Sequence, residues 1–120
     1  FTEALLRGIG CNWLVCLAVF AAAASTETIG KIAALWFPTM AFVALGMEHC
    51  IANMFFIPLG ILTGTDPRYI ALAEAGKAAA LKADFYSFVA GNLVPVTIGN
   101  IIGGSVLVGM LYLAANIKKA

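Results

Sequence analysis

Charge is scarce in this chain: seven lysines and arginines and six aspartates and glutamates are spread over 120 residues, for a formal net charge of +1. No basic cluster occurs, which excludes a nucleic-acid partner. Histidine is scarcer still, with His49 alone, so no bis-histidine haem site can be assembled from this chain. The cysteines Cys11, Cys16 and Cys50 form no CxxC or other metal-ligand spacing, and all lie in apolar segments where cysteine acts as a small hydrophobe. No phosphate loop, paired carboxylates or nucleophile–base constellation is present in the apolar segments, so the sequence does not read as an enzyme, and no cofactor is implied. A signal-peptide pattern is missing as well, and the chain opens on Phe1 as though continuing a longer protein.

What is present is apolar. With 62% hydrophobic residues and a mean hydropathy of +0.99, a soluble domain of this length would be left with large greasy surfaces. An all-α integral membrane protein is the consistent class. The first apolar stretch, about 5–24, matches the ~20 residues that span a bilayer, with Arg7 near its start to snorkel towards headgroups. A polar connection, "STETIGK" (25–31), leads into a second stretch over 32–62. As one helix this would measure roughly 46 Å at ~1.5 Å per residue, too long for a core of ~30 Å at ordinary tilt. A break is therefore expected near its middle, at Glu48, His49 and Asn53. Residues 63–84 hold the Asp66–Pro67 start signal of a short interfacial helix. The third stretch, about 85–115, is also over-long and contains Pro95 and four glycines between 91 and 104, which predict a second break or bend near Asn92–Pro95. Three spans, the second and third broken, fit one half of an inverted-repeat membrane protein, because duplicating an odd number of spans reverses their orientation.

The polar residues inside these stretches are the functional candidates. On a continuous helix Phe42, Gly46, His49 and Asn53 share a face, with Glu48 about 100° away. An ionisable group in a membrane segment usually faces a water-filled path or the bundle interior. Asn12 in the first span and Asn92, Thr97 and Asn100 in the third add amides and a hydroxyl, groups that also strengthen helix association. Gly99 and Gly103 form a small-xxx-small packing pair, and Gly8 and Gly10 read the same way.

Three segments, "GCNWLVCLAVF" (10–20), "KIAALWFPTMAFVALGMEHCIANMFFIP" (31–58) and "GNLVPVTIGNIIGG" (91–104), closely resemble the formate/nitrite transporter family. The resemblance runs through nearly the whole chain and corresponds to the last three of the family's six membrane helices. It implies an aquaporin-like helical bundle assembled as a homopentamer in the cytoplasmic (inner) membrane, with a pore in each protomer for small anions such as formate, nitrite or hydrosulfide. Carried over by motif, His49 is the central pore histidine, Phe42 the aromatic at the cytoplasmic constriction and Val15 an apolar residue at the periplasmic one. Asn12 and Asn100 flank the histidine along the path, and Glu48, Asn53, Gly46, Asn92 and Thr97 support the broken-helix region. Cys50 stands where serine is more common. The family also places the C-terminus, with Lys118 and Lys119, in the cytoplasm. Formate or nitrite is the leading cargo, favoured over hydrosulfide by the bulk of Phe42. A membrane-anchor subunit of a respiratory complex is the alternative from another class, and a haem absorbance band would reveal it.

Overall fold

The computed structural model describes residues 1–75 and 84–117 and is helical throughout apart from short connections. Helix α1 spans Thr2–Ala24 and turns at residues 25–27 into α2, Thr28–Ala44. After a break, α3 runs over Cys50–Thr63 and α4 over Pro67–Ala75. The last helical run is a composite: a π-helical segment Ser87–Leu93, α5 at Val94–Ile101, a second π-helical segment Ile102–Met110, and α6 at Leu111–Ile117. The molecule measures 61 × 32 × 18 Å. Its thin dimension is under two helix diameters of ~10–12 Å, so most side chains have a bare face. Trp36, Phe37, Phe55 and Phe56 are each more than 60% exposed, and apolar exposure on that scale calls for lipid or protein cover. Thr2–Ala24 and Ser87–Ile117 are each long and apolar enough to cross a membrane, whereas α2 and α3 are shorter apolar helices.

The core lies where α1 packs against α5 and the second π-helical segment. Cys11, Ala18, Val96 and Val108 are buried there. Glycine makes this approach possible. A Cβ on Gly103 would run into the Ile9 carbonyl and stand 3.0 Å from the Trp13 nitrogen, and one on Gly99 would meet the Leu5 carbonyl. Backbone thus packs on backbone, the small-residue contact that stabilises helices in lipid. Gly8 faces Val96 in the same seam, but Gly10 faces the side chain of Met47 instead of a helix.

The second span is interrupted at residues 45–49, as its length demands. Two hydrogen bonds close α2: Gly46 N–H to Val43 O at 3.0 Å and Met47 N–H to Phe42 O at 2.9 Å. With Gly46 at φ +63, this is a Schellman C-cap, which needs a left-handed residue that glycine supplies without a Cβ clash. The third span, expected to break or bend near Asn92–Pro95, is not broken. Its backbone stays in the right-handed helical region through Leu93 and Val94, and the irregularity is absorbed as a change of winding. Val94 N–H donates to Val89 O, a five-residue step just ahead of Pro95. The wider turn spares the proline ring its clash with the preceding turn, and Pro95 then opens α5, where its missing N–H matters least.

In the connection after α3, Asp66 caps α4 as its sequence signal required, accepting from Arg68 N–H at 2.9 Å and from the Arg68 guanidinium at 2.7 Å. The Arg68 side chain, then its N–H, holds the Asp66 carboxyl below its usual range. The rest of the expected interfacial segment, 76–83, and the terminal Lys118 and Lys119 lie outside the described residues.

Candidate functional site

The break brings polar groups of α1, α3 and the last helical run together, and two hydrogen-bond networks meet there. The first centres on Asn100, only 5% exposed. Its Nδ2 donates to Gly8 O at 2.9 Å and to Glu48 O at 3.0 Å, while its Oδ1 accepts from Cys50 N–H at 3.0 Å. This orientation of the carboxamide alone matches two carbonyls and one N–H, so the partners assign it. Asn12 adds a bond from Nδ2 to the Asn100 backbone carbonyl at 2.7 Å. One side chain of α5 therefore joins α1, the break and the first turn of α3. Cys50 takes part through its backbone, which a serine there would supply equally.

The second network holds Glu48. Asn53 Nδ2 donates to Glu48 Oε2 at 2.5 Å and to Asn92 Oδ1 at 2.7 Å, and Asn92 Nδ2 donates to Glu48 Oε2 at 3.3 Å. Among the described residues the Glu48 carboxylate has amide partners and no ion pair. The backbone of Glu48 is held too, its N–H on Arg7 O at 3.4 Å.

His49 stands between the networks as the N-cap of α3 (φ −113, ψ 118), with Nδ1 accepting from Ala52 N–H at 3.4 Å. An imidazole accepting at Nδ1 carries its hydrogen on Nε2. That leaves Nε2–H as a donor that neither network engages. The positive end of the α3 dipole is at the same place, which favours negative charge beside it. Phe42, at the end of α2, lies with its ring centroid 6.1 Å from that of His49 and its plane tilted 28°. Val15 is half-buried on α1, one turn beyond Asn12, and Thr97 is half-buried one turn before Asn100.

The single helical face drawn through Phe42, Gly46, His49 and Asn53 does not exist, because helical periodicity ends at Ala44 and restarts at Cys50. Phe42 and His49 still meet, brought together across the break. Gly46 is the turn itself, and Asn53 reaches back to Glu48. Arg7 was placed by sequence at the headgroups. The structure puts its guanidinium on the Gly46 carbonyl at 3.1 Å and on Glu3 at 2.7 Å, a cation at the C-terminal end of α2 that the helix dipole favours. The Glu3–Arg7 spacing of four was the only sign of this in the sequence.

A polar cavity of about 300 Å³ opens beside Glu48, lined also by Phe1, Glu3, Arg7 and Gly91. A larger groove of about 590 Å³ runs along α2 past Ile32, Trp36, Met40 and Val43 and is almost wholly apolar.

Comparison with known proteins gives one consistent picture. The family described as formate/nitrite transporter matches residues 1–114. A probable formate transporter of Methanothermobacter thermautotrophicus is 45% identical over 119 residues, covering 99% of this chain and 37% of that protein. The formate channel FocA of Escherichia coli (strain K12) is 40% identical over 114 residues, covering 93% of this chain and 40% of its own length. Among solved structures, a pentameric formate channel with formate bound superposes with a TM-score of 0.79 at 38% identity, over 95% of this chain and 46% of that one. The chain spans less than half the length of these relatives.

Proposed function

The chain belongs to the formate/nitrite transporter family, and we propose that it is one half of a membrane pore passing small monovalent anions of weak acids, formate or nitrite foremost. In this reading a second, inverted three-span half completes an aquaporin-like protomer, and five protomers assemble in the cytoplasmic membrane. The observation that carries the proposal is His49 at the N-terminus of a half-helix, with Nδ1 bound to Ala52 N–H and Nε2–H without a partner among the described residues.

An anion crossing an apolar constriction loses its hydration at a cost of several kcal/mol. At the break it meets three compensations: the hydrogen on Nε2, the positive end of α3, and backbone held open by the capped turn. Half-helices whose N-termini point at an anionic group are the recurring solution in transporters built this way. Phe42 and Val15 are the apolar constrictions on either side of the histidine. Asn12 and Asn100 contribute by fixing the walls of the path, and Thr97 lies along it.

The test is flux through liposomes carrying the whole protein, with formate, nitrite and hydrosulfide offered separately. Selective passage of formate or nitrite is the expected result. Absence of flux for all three anions, or a haem band in the purified protein, would overturn the reading.

A further inference from the structure

Asn92 has no part in the path just described, yet both ends of its carboxamide are used at the break. Its Oδ1 accepts from Asn53 at 2.7 Å while its Nδ2 donates to Glu48 at 3.3 Å, and the Asn53–Glu48 bond closes a three-membered ring. The ring has one polarity. Turning the Asn92 amide over would set nitrogen against nitrogen and oxygen against carboxylate.

Residue 48 is consequently gripped from four directions. Its N–H is on the Arg7 carbonyl of α1, and its carbonyl accepts from Asn100 of α5. Its carboxylate is held by Asn53 of α3 and by Asn92 of the first π-helical segment. His49 is the next residue, and its Nδ1 bond to Ala52 N–H, at 3.4 Å, is near the limit of hydrogen-bond range. A displacement of residue 48 by a fraction of an ångström is enough to break it. Once it breaks, no hydrogen bond among the described residues distinguishes Nδ1 from Nε2 as the bearer of the hydrogen. Asn92 also sits in the widened winding ahead of Pro95, and π-helical turns inside α-helices frequently occur at functional positions. A leucine in its place would fit an apolar span with no polar group to satisfy.

We propose that Asn92 is a positioning residue for His49. Through Asn53 and Glu48 it fixes the backbone of residue 48, and thereby the tautomer and place of the imidazole. The consequence for transport rests on the reading that His49 Nε2–H meets the anion. The consequence for the tautomer does not.

The experiment uses the full-length protein with Asn92→Leu, which is nearly isosteric and apolar, and Asn53→Leu. The first readout is nitrogen-15 NMR of histidine-labelled protein, with the His49 signals identified by their loss in His49→Asn. The second is formate flux at saturating and limiting concentration. The wild type should show a single Nε2–H tautomer. Asn92→Leu should assemble normally, show mixed tautomers, and lose roughly tenfold or more in maximal flux, as small misplacements of a positioned group do. Its half-saturating concentration should move much less. Combining it with Asn53→Leu should bring a further loss, because the Asn53–Glu48 bond survives in Asn92→Leu and goes only with Asn53. Assembled Asn92→Leu with the wild-type tautomer would overturn the proposal, whatever the flux. Wild-type protein that passes no anion would defeat the functional reading while leaving the tautomer comparison decisive for Asn92. If Asn92→Leu does not assemble, Asn92→Ser, too short to bridge both partners, takes its place under the same criteria.

Discussion

Adding one methyl group at Gly103 should weaken the bundle more than any conservative change on its lipid-facing surface. The new Cβ would collide with the Ile9 carbonyl oxygen and stand 3.0 Å from the Ile9 carbonyl carbon and the Trp13 nitrogen. All three are backbone atoms of α1, so no side chain can swing aside and the helices must separate. Overpacking of this kind costs about 1–3 kcal/mol, and the rigid neighbours put Gly103→Ala at the upper end. Alanine returns up to about 1 kcal/mol through its better helix propensity. The net loss is about 2 kcal/mol, close to thirtyfold in the folded-to-unfolded ratio. Gly91→Ala is the control, since a Cβ there meets nothing within 4 Å and should be neutral or slightly stabilising. Thermal unfolding of the whole protein in detergent, followed by loss of the assembled species on size exclusion, measures both. Gly103→Ala as stable as Gly91→Ala would refute the backbone-to-backbone seam.

Two further outcomes follow from the caps. Asp84 accepts from Ser87 N–H at 2.7 Å, and hydrogen bonding by the Ser87 side chain and then its N–H holds the Asp84 carboxyl below its ordinary 3.8. A carboxyl lowered in the folded state contributes stability that is complete above the unfolded pKa and lost as pH falls through the folded one. Protection of the Ser87 amide, measured against its intrinsic exchange rate at each pH, should therefore fall below about pH 4 in the wild type, and Asp84→Asn should remove that loss. Gly46→Ala forces a Cβ into the left-handed region at φ +63, at about 1–2 kcal/mol, and should lower the melting temperature while Gly91→Ala does not.

The sequence was most legible where length and geometry left no choice. A 31-residue apolar stretch could not cross a bilayer straight, and the break falls among the polar residues that interrupt it. The small-residue pair Gly99–Gly103 and the Asp66–Pro67 cap were equally plain, each being a local signal with one physical use. Errors arose where one signal has two uses. Pro95 and its neighbouring glycines read as breakers, yet Gly99 and Gly103 serve close packing and the proline is accommodated by a change of winding that leaves no compositional trace. The helical face through Phe42, Gly46, His49 and Asn53 failed for a related reason, since periodicity cannot be carried through the break it was used to locate. His49 as an N-cap escaped notice because histidine is not among the usual capping residues. The Asp84 cap was missed although aspartate three residues before a polar residue is a readable start.

The sharpest contrast within the site is between Asn100 and His49. Asn100→Leu keeps the volume but leaves Gly8 O, Glu48 O and Cys50 N–H without the partners they now have. Each loss is worth about 1–3 kcal/mol by the general scale, or about 0.6–2 by values measured between membrane helices. Three together amount to about 3–9 kcal/mol on the first scale and about 2–6 on the second, against a total stability of about 5–15. Asn100→Leu should therefore fail to assemble or melt far below the wild type. His49→Asn should behave in the opposite way. Asparagine is a favoured N-cap, and its Oδ1 can accept from Ala52 N–H as Nδ1 does now. The fold should survive while the imidazole, the side-chain type whose ordinary charge change lies between about pH 5 and 8, is gone. Detergent stability separates the variants first, and liposome flux across that pH range separates the mechanisms. Assembled His49→Asn should conduct with altered selectivity or with its pH response flattened. A wild-type pH profile in that variant would remove His49 from the anion's path, and wild-type stability in Asn100→Leu would show that the network around the break holds nothing together.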